Sequence, residues 1–250
     1  MRLCVAVPCF FGGIPFSDAI RKIASLGFDA AETYDWTHLD LNEARAVCDG
    51  TGVELLSMCT TDFRVNEPAH RDEFLDGLKR SCDAAQKLGV RRLITQGGQD
   101  TGEERVRQHA AIVETLSMAA PLLSSAGVVL MLEPLNALVD HKGTYLTSSG
   151  EAFDIVRAAG SPYVKVIYDI YHQQVTEGNI IPQVTSHLDL IAHLHAAGHP
   201  GRHELQDGEL NYRYVFAALD AAGYAGACGL EYGPRMAPVE SLTTAKRMFG

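Results

Sequence analysis

Short apolar runs alternate with longer amphipathic stretches along the whole chain. The runs are LCVAVP from Leu3, FDAAETY from Phe28, VELLSMC from Val53, RRLITQG from Arg91, VVLMLE from Val128, VKVIYD from Val164, IAHLH from Ile191 and AGACGLE from Ala225. Apolar runs of about four to eight residues, bounded by turn residues, have the pattern of strands buried on both faces. Between them lie helix-like segments: FSDAIRKIASLG with Gly27 as its stop, DLNEARAVCDGTG, 70–89, 103–127 and 148–160. A weaker segment at 180–188 is interrupted near its start by Pro182, and NYRYVFAALDAAG and a closing stretch from Val239 complete the series. The alternation predicts eight strand–helix units without a linker, and hence a single α/β domain over 1–250, a (β/α)8 TIM barrel. An open doubly wound sheet needs fewer units and favours a glycine-rich phosphate loop, but the chain has neither G-x-G-x-x-G nor a P-loop.

Polar residues close four successive runs: Glu133, Asp169, His195 and Glu231. Strand side chains alternate between faces, so Val129, Met131 and Glu133 share one face, as do Ile167 with Asp169, His193 with His195, and Gly229 with Glu231. All four polar residues can therefore point into the barrel at its C-terminal mouth, where this fold places catalysis. Three carboxylates and one imidazole make an oxygen-rich ligand set with a single nitrogen. It suits one divalent ion, Mn2+ or Mg2+, and would also accept Co2+. No cysteine stands at these positions, which argues against structural zinc. The competing reading of each carboxylate is a helix cap or a partner for an arginine.

Glu133 and Glu231 belong to the fifth and eighth runs and would reach a ligand from different sides. Two carboxylates flanking a metal-chelated α-hydroxycarbonyl are what proton shuttling through an enediolate requires. Which of the two takes the proton is open. His172, expected in the loop after the sixth strand, is placed to hydrogen-bond a substrate hydroxyl or an oxyanion. Arg202, in GHPGRHE after the seventh strand, could grip a carboxylate with two N–H groups. Glu32 and Gln96 end the second and fourth runs and are candidate substrate contacts, and Trp36 is a candidate pocket wall. Each of these residues also has a purely structural reading.

Composition narrows the partners. Hydrophobic residues form 46% and charged residues 21% of the chain, a balance ordinary for a soluble globular protein. The formal charge of −10, with no basic run, disfavours nucleic acid. No apolar stretch approaches the ~20 residues a bilayer requires. The stretch MRLCVAVPCFFGG is broken by Pro8 and reads as a first strand rather than a leader. Cys4, Cys9, Cys48, Cys59, Cys82 and Cys228 are scattered without a C-x-x-C pair, so reduced thiols and a cytoplasmic setting are expected. The expected partner is a small molecule. A homo-oligomer is compatible with such a barrel, although no patch in the sequence marks an interface.

The stretches LEPLN from Leu132, YDIYHQQ from Tyr168, PGRHELQDGELNY from Pro200 and GYAGACGLEYGPR from Gly223 resemble the hydroxypyruvate isomerase family, within the wider xylose-isomerase-like barrel superfamily. The resemblance covers most of the C-terminal half. It implies metal binding by Glu133, Asp169, His195 and Glu231 and proton donor and acceptor roles for Glu133 and Glu231. It also implies interconversion of hydroxypyruvate and tartronate semialdehyde, or isomerisation of a related sugar acid. One position departs from the pattern. Those isomerases carry glutamine at the third ligand position, in a strand similar to H-V-Q, where this chain has HLH ending at His195. The HLH strand is similar to the ketose 3-epimerases, which shift a proton at C3 between two glutamates and also carry a histidine after the strand-six aspartate. The isomerase-like loop around Arg202 spans more residues and favours the isomerase. The remaining alternatives are the 3-epimerase, a dehydratase on the same site, an inactive binding barrel, and the superfamily's abasic-site endonucleases. These last resemble three-zinc sites with more strand-end histidines than His193 and His195 provide.

Overall fold

In the computed structural model, which describes residues 1–249, eight parallel strands close into a barrel in chain order. The strands are β1 (Arg2–Ala6), β2 (Ala30–Glu32), β3 (Glu54–Cys59), β4 (Arg92–Gln96), β5 (Val129–Glu133), β6 (Val164–Asp169), β7 (Ile191–Ala196) and β8 (Ala227–Leu230). β8 closes on β1 through the register Cys4 with Gly229 and Val5 with Leu230. The helices are α1 (Val7–Phe11), α2 (Phe16–Ser25), α3 (Leu41–Thr51), α4 (Arg71–Leu88), α5 (Arg105–Ala126), α6 (Ser149–Ala159), α7 (Ile170–Thr176), α8 (Ile180–Thr185), α9 (Tyr212–Ala221) and α10 (Pro238–Phe249).

The helices cover the barrel because each has one apolar face. In α5, Ile112, Leu116, Ala119 and Leu123 recur at helical spacing and are all fully buried. Each buried Leu or Ile there contributes about 1.5–3 kcal/mol. α5 ends at Gly127, whose φ of 67° is a left-handed conformation that a side chain would oppose. The lumen is filled by a second population of side chains. Ile94, Met131 and Ile167 of β4, β5 and β6 form a buried layer. On the same faces of β5 and β6, Glu133 and Asp169 follow two residues later, so this layer is the floor on which the mouth residues stand.

Local structure departs from the sequence expectation at three places. The first run stops at Ala6, and Val7–Phe11 coils into α1; Pro8 fits this first turn because its missing N–H has no partner to satisfy there. The segment after β6 is helical at once, so His172 lies in α7 rather than in a loop. The weak segment at 180–188 is a helix only over Ile180–Thr185.

Candidate active site

Glu133, Asp169, His195 and Glu231 do converge at the C-terminal mouth. Gln96 pairs in register with Glu133, Asp169 with His195, and His195 with Gly229, two residues before Glu231. His195 Nδ1 lies 3.1 Å from Glu231 Oε2 and 3.6 Å from Glu133 Oε1. Asp169 uses Oδ1 to accept the N–H groups of Tyr171 at 2.7 Å and His172 at 3.3 Å, capping α7. Its Oδ2 stays free of that duty, 3.4 Å from His172 Nε2 and 3.7 Å from Arg202 Nη2. The cap reading of Asp169 and the arginine reading of Glu231 are thus both realised, each through one oxygen atom of the carboxylate. Neither exhausts the residue.

Arg202 is carried by the loop after β7. That loop is pinned where Gly198 and His203 exchange backbone hydrogen bonds, and Gly233 N–H donates to the Arg202 carbonyl at 3.1 Å. Arg202 has a φ of 57°, an uncommon conformation for a residue with a side chain, costing on the order of 1 kcal/mol or more. Its contacts hold it there: Nη2 donates to Glu231 Oε2 at 2.7 Å, and the guanidinium lies 5.4 Å from the Tyr171 ring centre. Tyr34 Oη donates to the other oxygen of Glu231 at 2.7 Å.

His172 and His195 differ in which nitrogen they can lend. Asn136 Oδ1 accepts the backbone N–H groups of Val139 and Asp140, at 3.0 and 3.1 Å, which fixes its amide. Its Nδ2 therefore donates to His172 Nδ1 at 2.6 Å and to Asp140 Oδ2 at 2.8 Å. His172 Nδ1 is thus an acceptor and Nε2 carries the proton. Burial, and then the charge of Arg202, pull the His172 pKa down to about 3, so the ring is a neutral donor aimed at Asp169 and the cavity. His195 is oriented the other way. Its Nε2 faces Glu32 at 3.1 Å, leaving Nδ1 for the carboxylates of the mouth.

These contacts separate the acids electrically. Burial drives Asp169 up to about 8, and the charge of Glu231 adds to the rise. Burial also opposes ionisation of Glu231, but His195 and Arg202 outweigh it and hold that carboxyl well below the usual range.

The residues also fit a cation. Asp169 Oδ2, His172 Nε2 and His195 Nδ1 are buried and find no hydrogen-bond partner among the described residues. Glu133, Asp169, His172 and Glu231 each offer an atom within 4.8 Å of one another. Burial would lower the His195 pKa, but Glu32 and Glu231 outweigh it and raise it, so without an ion Nδ1 also carries a proton, which a bound ion would displace. His195 Nδ1 lies beside that cluster, 3.1 Å from Glu231 and 3.6 Å from Glu133, so an ion there would meet carboxylate oxygens and an imidazole nitrogen from His172 or His195.

Above this cup lies a cavity of about 540 Å³. Gln96, His172, Arg202 and Trp36 all line it, together with Tyr34, Phe63 and His141. Trp36 is anchored there by its Nε1–H, which donates to Cys59 O at 3.1 Å. Glu32 does not line it. It is fully buried beneath His195, so its place is under the site rather than at the substrate wall. Sequence reasoning missed Tyr34 and Asn136. Tyr34 shares strand parity with Glu32, and Asn136 stands within LEPLN, so faint signals existed for both.

Residues 20–248 match a protein family described as xylose isomerase-like TIM barrel. Among curated relatives, the chain is 31% identical to hydroxypyruvate isomerase of Escherichia coli (strain K12) over 247 residues, 94% of each chain. It is also 31% identical to 2-oxo-tetronate isomerase of Cupriavidus necator over 245 residues, again 94% of each. Among solved structures, a protein from Brucella melitensis described as AP endonuclease, family 2 superposes with a TM-score of 0.92 at 26% identity, covering 98% of both chains.

Proposed function

Because this chain belongs to the xylose isomerase-like TIM barrel family, we propose that it is a divalent-metal-dependent isomerase of a small hydroxy-keto acid, of the hydroxypyruvate isomerase type. The observation that carries the reading is the convergence of three carboxylates and one correctly oriented imidazole below a cavity of about 540 Å³. Glu133, Asp169, His195 and Glu231 would hold Mn2+ or Mg2+. Such an ion, when bound, would polarise the substrate's carbonyl and hydroxyl oxygens and acidify the neighbouring C–H.

The chain's own residues supply the rest. Glu231, held ionised by Arg202, takes the proton from one carbon and returns it to the next, while Glu133, facing it across the cup, carries the hydroxyl proton to the former carbonyl oxygen. His172 Nε2–H is a neutral donor for a substrate oxygen. Arg202 spends one nitrogen on Glu231 and keeps further N–H groups for a substrate carboxylate. Trp36, Phe63 and Tyr34 exclude water on the apolar side of the cavity.

A 3-epimerase of a free ketose is the second reading, favoured by the imidazole at His195, where the resembling isomerases carry an amide. The endonuclease reading suffers from the formal charge of −10 and from a cup in which His172 or His195 would give an ion one imidazole nitrogen. Incubation with Mn2+ and hydroxypyruvate in D2O, followed by NMR, is the test. Deuterium at the interconverted carbons, abolished by a chelator and restored by Mn2+ or Mg2+, is the expected result. Exchange confined to C3 of a ketose, with hydroxypyruvate inert, would establish the epimerase instead.

A further inference from the structure

Beneath the cup lies a buried polar group that the proposed chemistry does not use. Glu32 is fully buried, and three donors converge on it: Ser57 Oγ at 2.8 Å, His193 Nε2 at 3.1 Å and His195 Nε2, 3.1 Å from Oε1 and 3.2 Å from Oε2. A carboxylate inside a barrel is expensive unless donors surround it. The space for this arrangement is provided by β8: a Cβ at Gly229 would collide with Glu32 Oε1 and with His195 Cδ2. The sequence therefore gives up a side chain on one strand so that a glutamate from β2 can reach an imidazole from β7.

The consequence lies in the two nitrogens of His195. With Nε2 donating to Glu32, Nδ1 is the ring atom that faces Glu133 and Glu231. We propose that Glu32 is a positioning residue for a divalent-ion site: by accepting the Nε2–H of His195 it fixes the ring and its tautomer, so that the Nδ1 lone pair is presented to the cup. This rests on the reading that Glu133, Asp169, His195 and Glu231 hold an ion. A carboxylate behind a ligating imidazole also raises the ring's basicity, and loss of such a partner weakens metal binding by about 10–100-fold. Ser57 and His193 hold the carboxylate in place. Cys4, Glu32 and His193 offer three donors within 4.8 Å of one another, so a second ion bound by Glu32 itself is the competing arrangement.

The test compares wild type with Glu32→Met, which removes both acceptor oxygens at similar volume, and Glu32→Gln, which keeps one acceptor without the charge. Calorimetric titration of the metal-free proteins with Mn2+ gives affinity and stoichiometry. NMR of the Mg2+-loaded proteins follows the imidazole N–H of His195, and thermal unfolding without metal reports packing. The wild type is expected to bind one Mn2+ and to show a downfield, slowly exchanging Nε2–H. Glu32→Met should bind about 10–100-fold more weakly and lose that signal, with Glu32→Gln between the two. Variants that melt earlier but bind Mn2+ within twofold of wild type would make Glu32 a packing residue and overturn the proposal. If Glu32→Met does not fold, unchanged Mn2+ affinity in Glu32→Gln overturns it equally. Two ions per wild-type chain, falling to one in Cys4→Ser, would make Glu32 a ligand rather than a support. A wild type that binds no divalent ion refutes the metal reading itself, whereas wild-type binding with unaltered variants refutes this inference alone.

Discussion

Replacing Arg202 with methionine tests the electrostatics of the cup in the absence of any ion. Arg202 is the only arginine or lysine lining the cavity among the described residues, and its Nη2 sits 2.7 Å from Glu231 and 3.7 Å from Asp169. Its removal leaves Glu133, Asp169 and Glu231 facing His195 alone. Breaking a fully buried pair by deleting one partner typically costs about 3–5 kcal/mol, and this pair, with side chains 23% and 14% exposed, belongs toward the low end of that range. Glu231 can escape part of that cost by taking a proton. Keeping a carboxyl neutral at pH 7, when its unfolded value is ~4.3, costs about 3.7 kcal/mol, and at pH 5 only about 1 kcal/mol. The sign follows from the wild type. There the Glu231 carboxyl is depressed, so its stabilising contribution is complete above the unfolded value and fades as pH falls through the folded one. Arg202→Met should therefore lose about 3–4 kcal/mol at pH 7 and about 1 kcal/mol at pH 5. For a chain of this size that corresponds to a melting temperature lower by roughly 10 °C at pH 7, read by calorimetry in EDTA. Mn2+ should narrow the gap, because an ion in the cup supplies the missing charge. A gap under about 2 °C at pH 7, or one that fails to shrink at pH 5, would refute the electrostatic reasoning.

The remaining predictions are simpler. Glu133→Gln and Glu231→Gln should each lower the rate of deuterium incorporation by about 10²–10⁴-fold while leaving the circular dichroism spectrum unchanged. Met131→Ala, which empties part of the floor beside Ile94 and Ile167, should cost about 2–5 kcal/mol in urea unfolding. Glu151 accepts hydrogen bonds from Tyr145 Oη at 2.7 Å, from Arg105 and from His109; burial would raise its carboxyl, but these donors outweigh burial and lower it. Glu151→Gln should lose about 1–3 kcal/mol at pH 7. Because a depressed carboxyl stabilises only while ionised, the gap between wild type and Glu151→Gln should begin to shrink as pH falls past the unfolded value of ~4.3 and vanish once pH is below the lowered native value; a urea midpoint difference that does not shrink between pH 7 and about pH 2 would contradict the assignment.

Much of this molecule could be read along the chain. Strand and helix periods are local properties, so the eight units and the inward parity of Glu133, Asp169, His195 and Glu231 follow from residue spacing alone. Only the folded barrel decides what each side chain meets. Glu32 and Gln96 both end strands with the same outward signs in the sequence, yet one lies under the site and the other lines the cavity. His172 and His195 are alike as letters; Asn136 turns the first so that its protonated Nε2 faces the cavity, and Glu32 turns the second so that Nδ1 faces the cup. The reason is physical. Backbone periodicity is set by neighbours a few residues away, whereas the choice of rotamer, tautomer and protonation is made by partners that closure of the barrel brings together, such as Glu32 and His195, 163 positions apart.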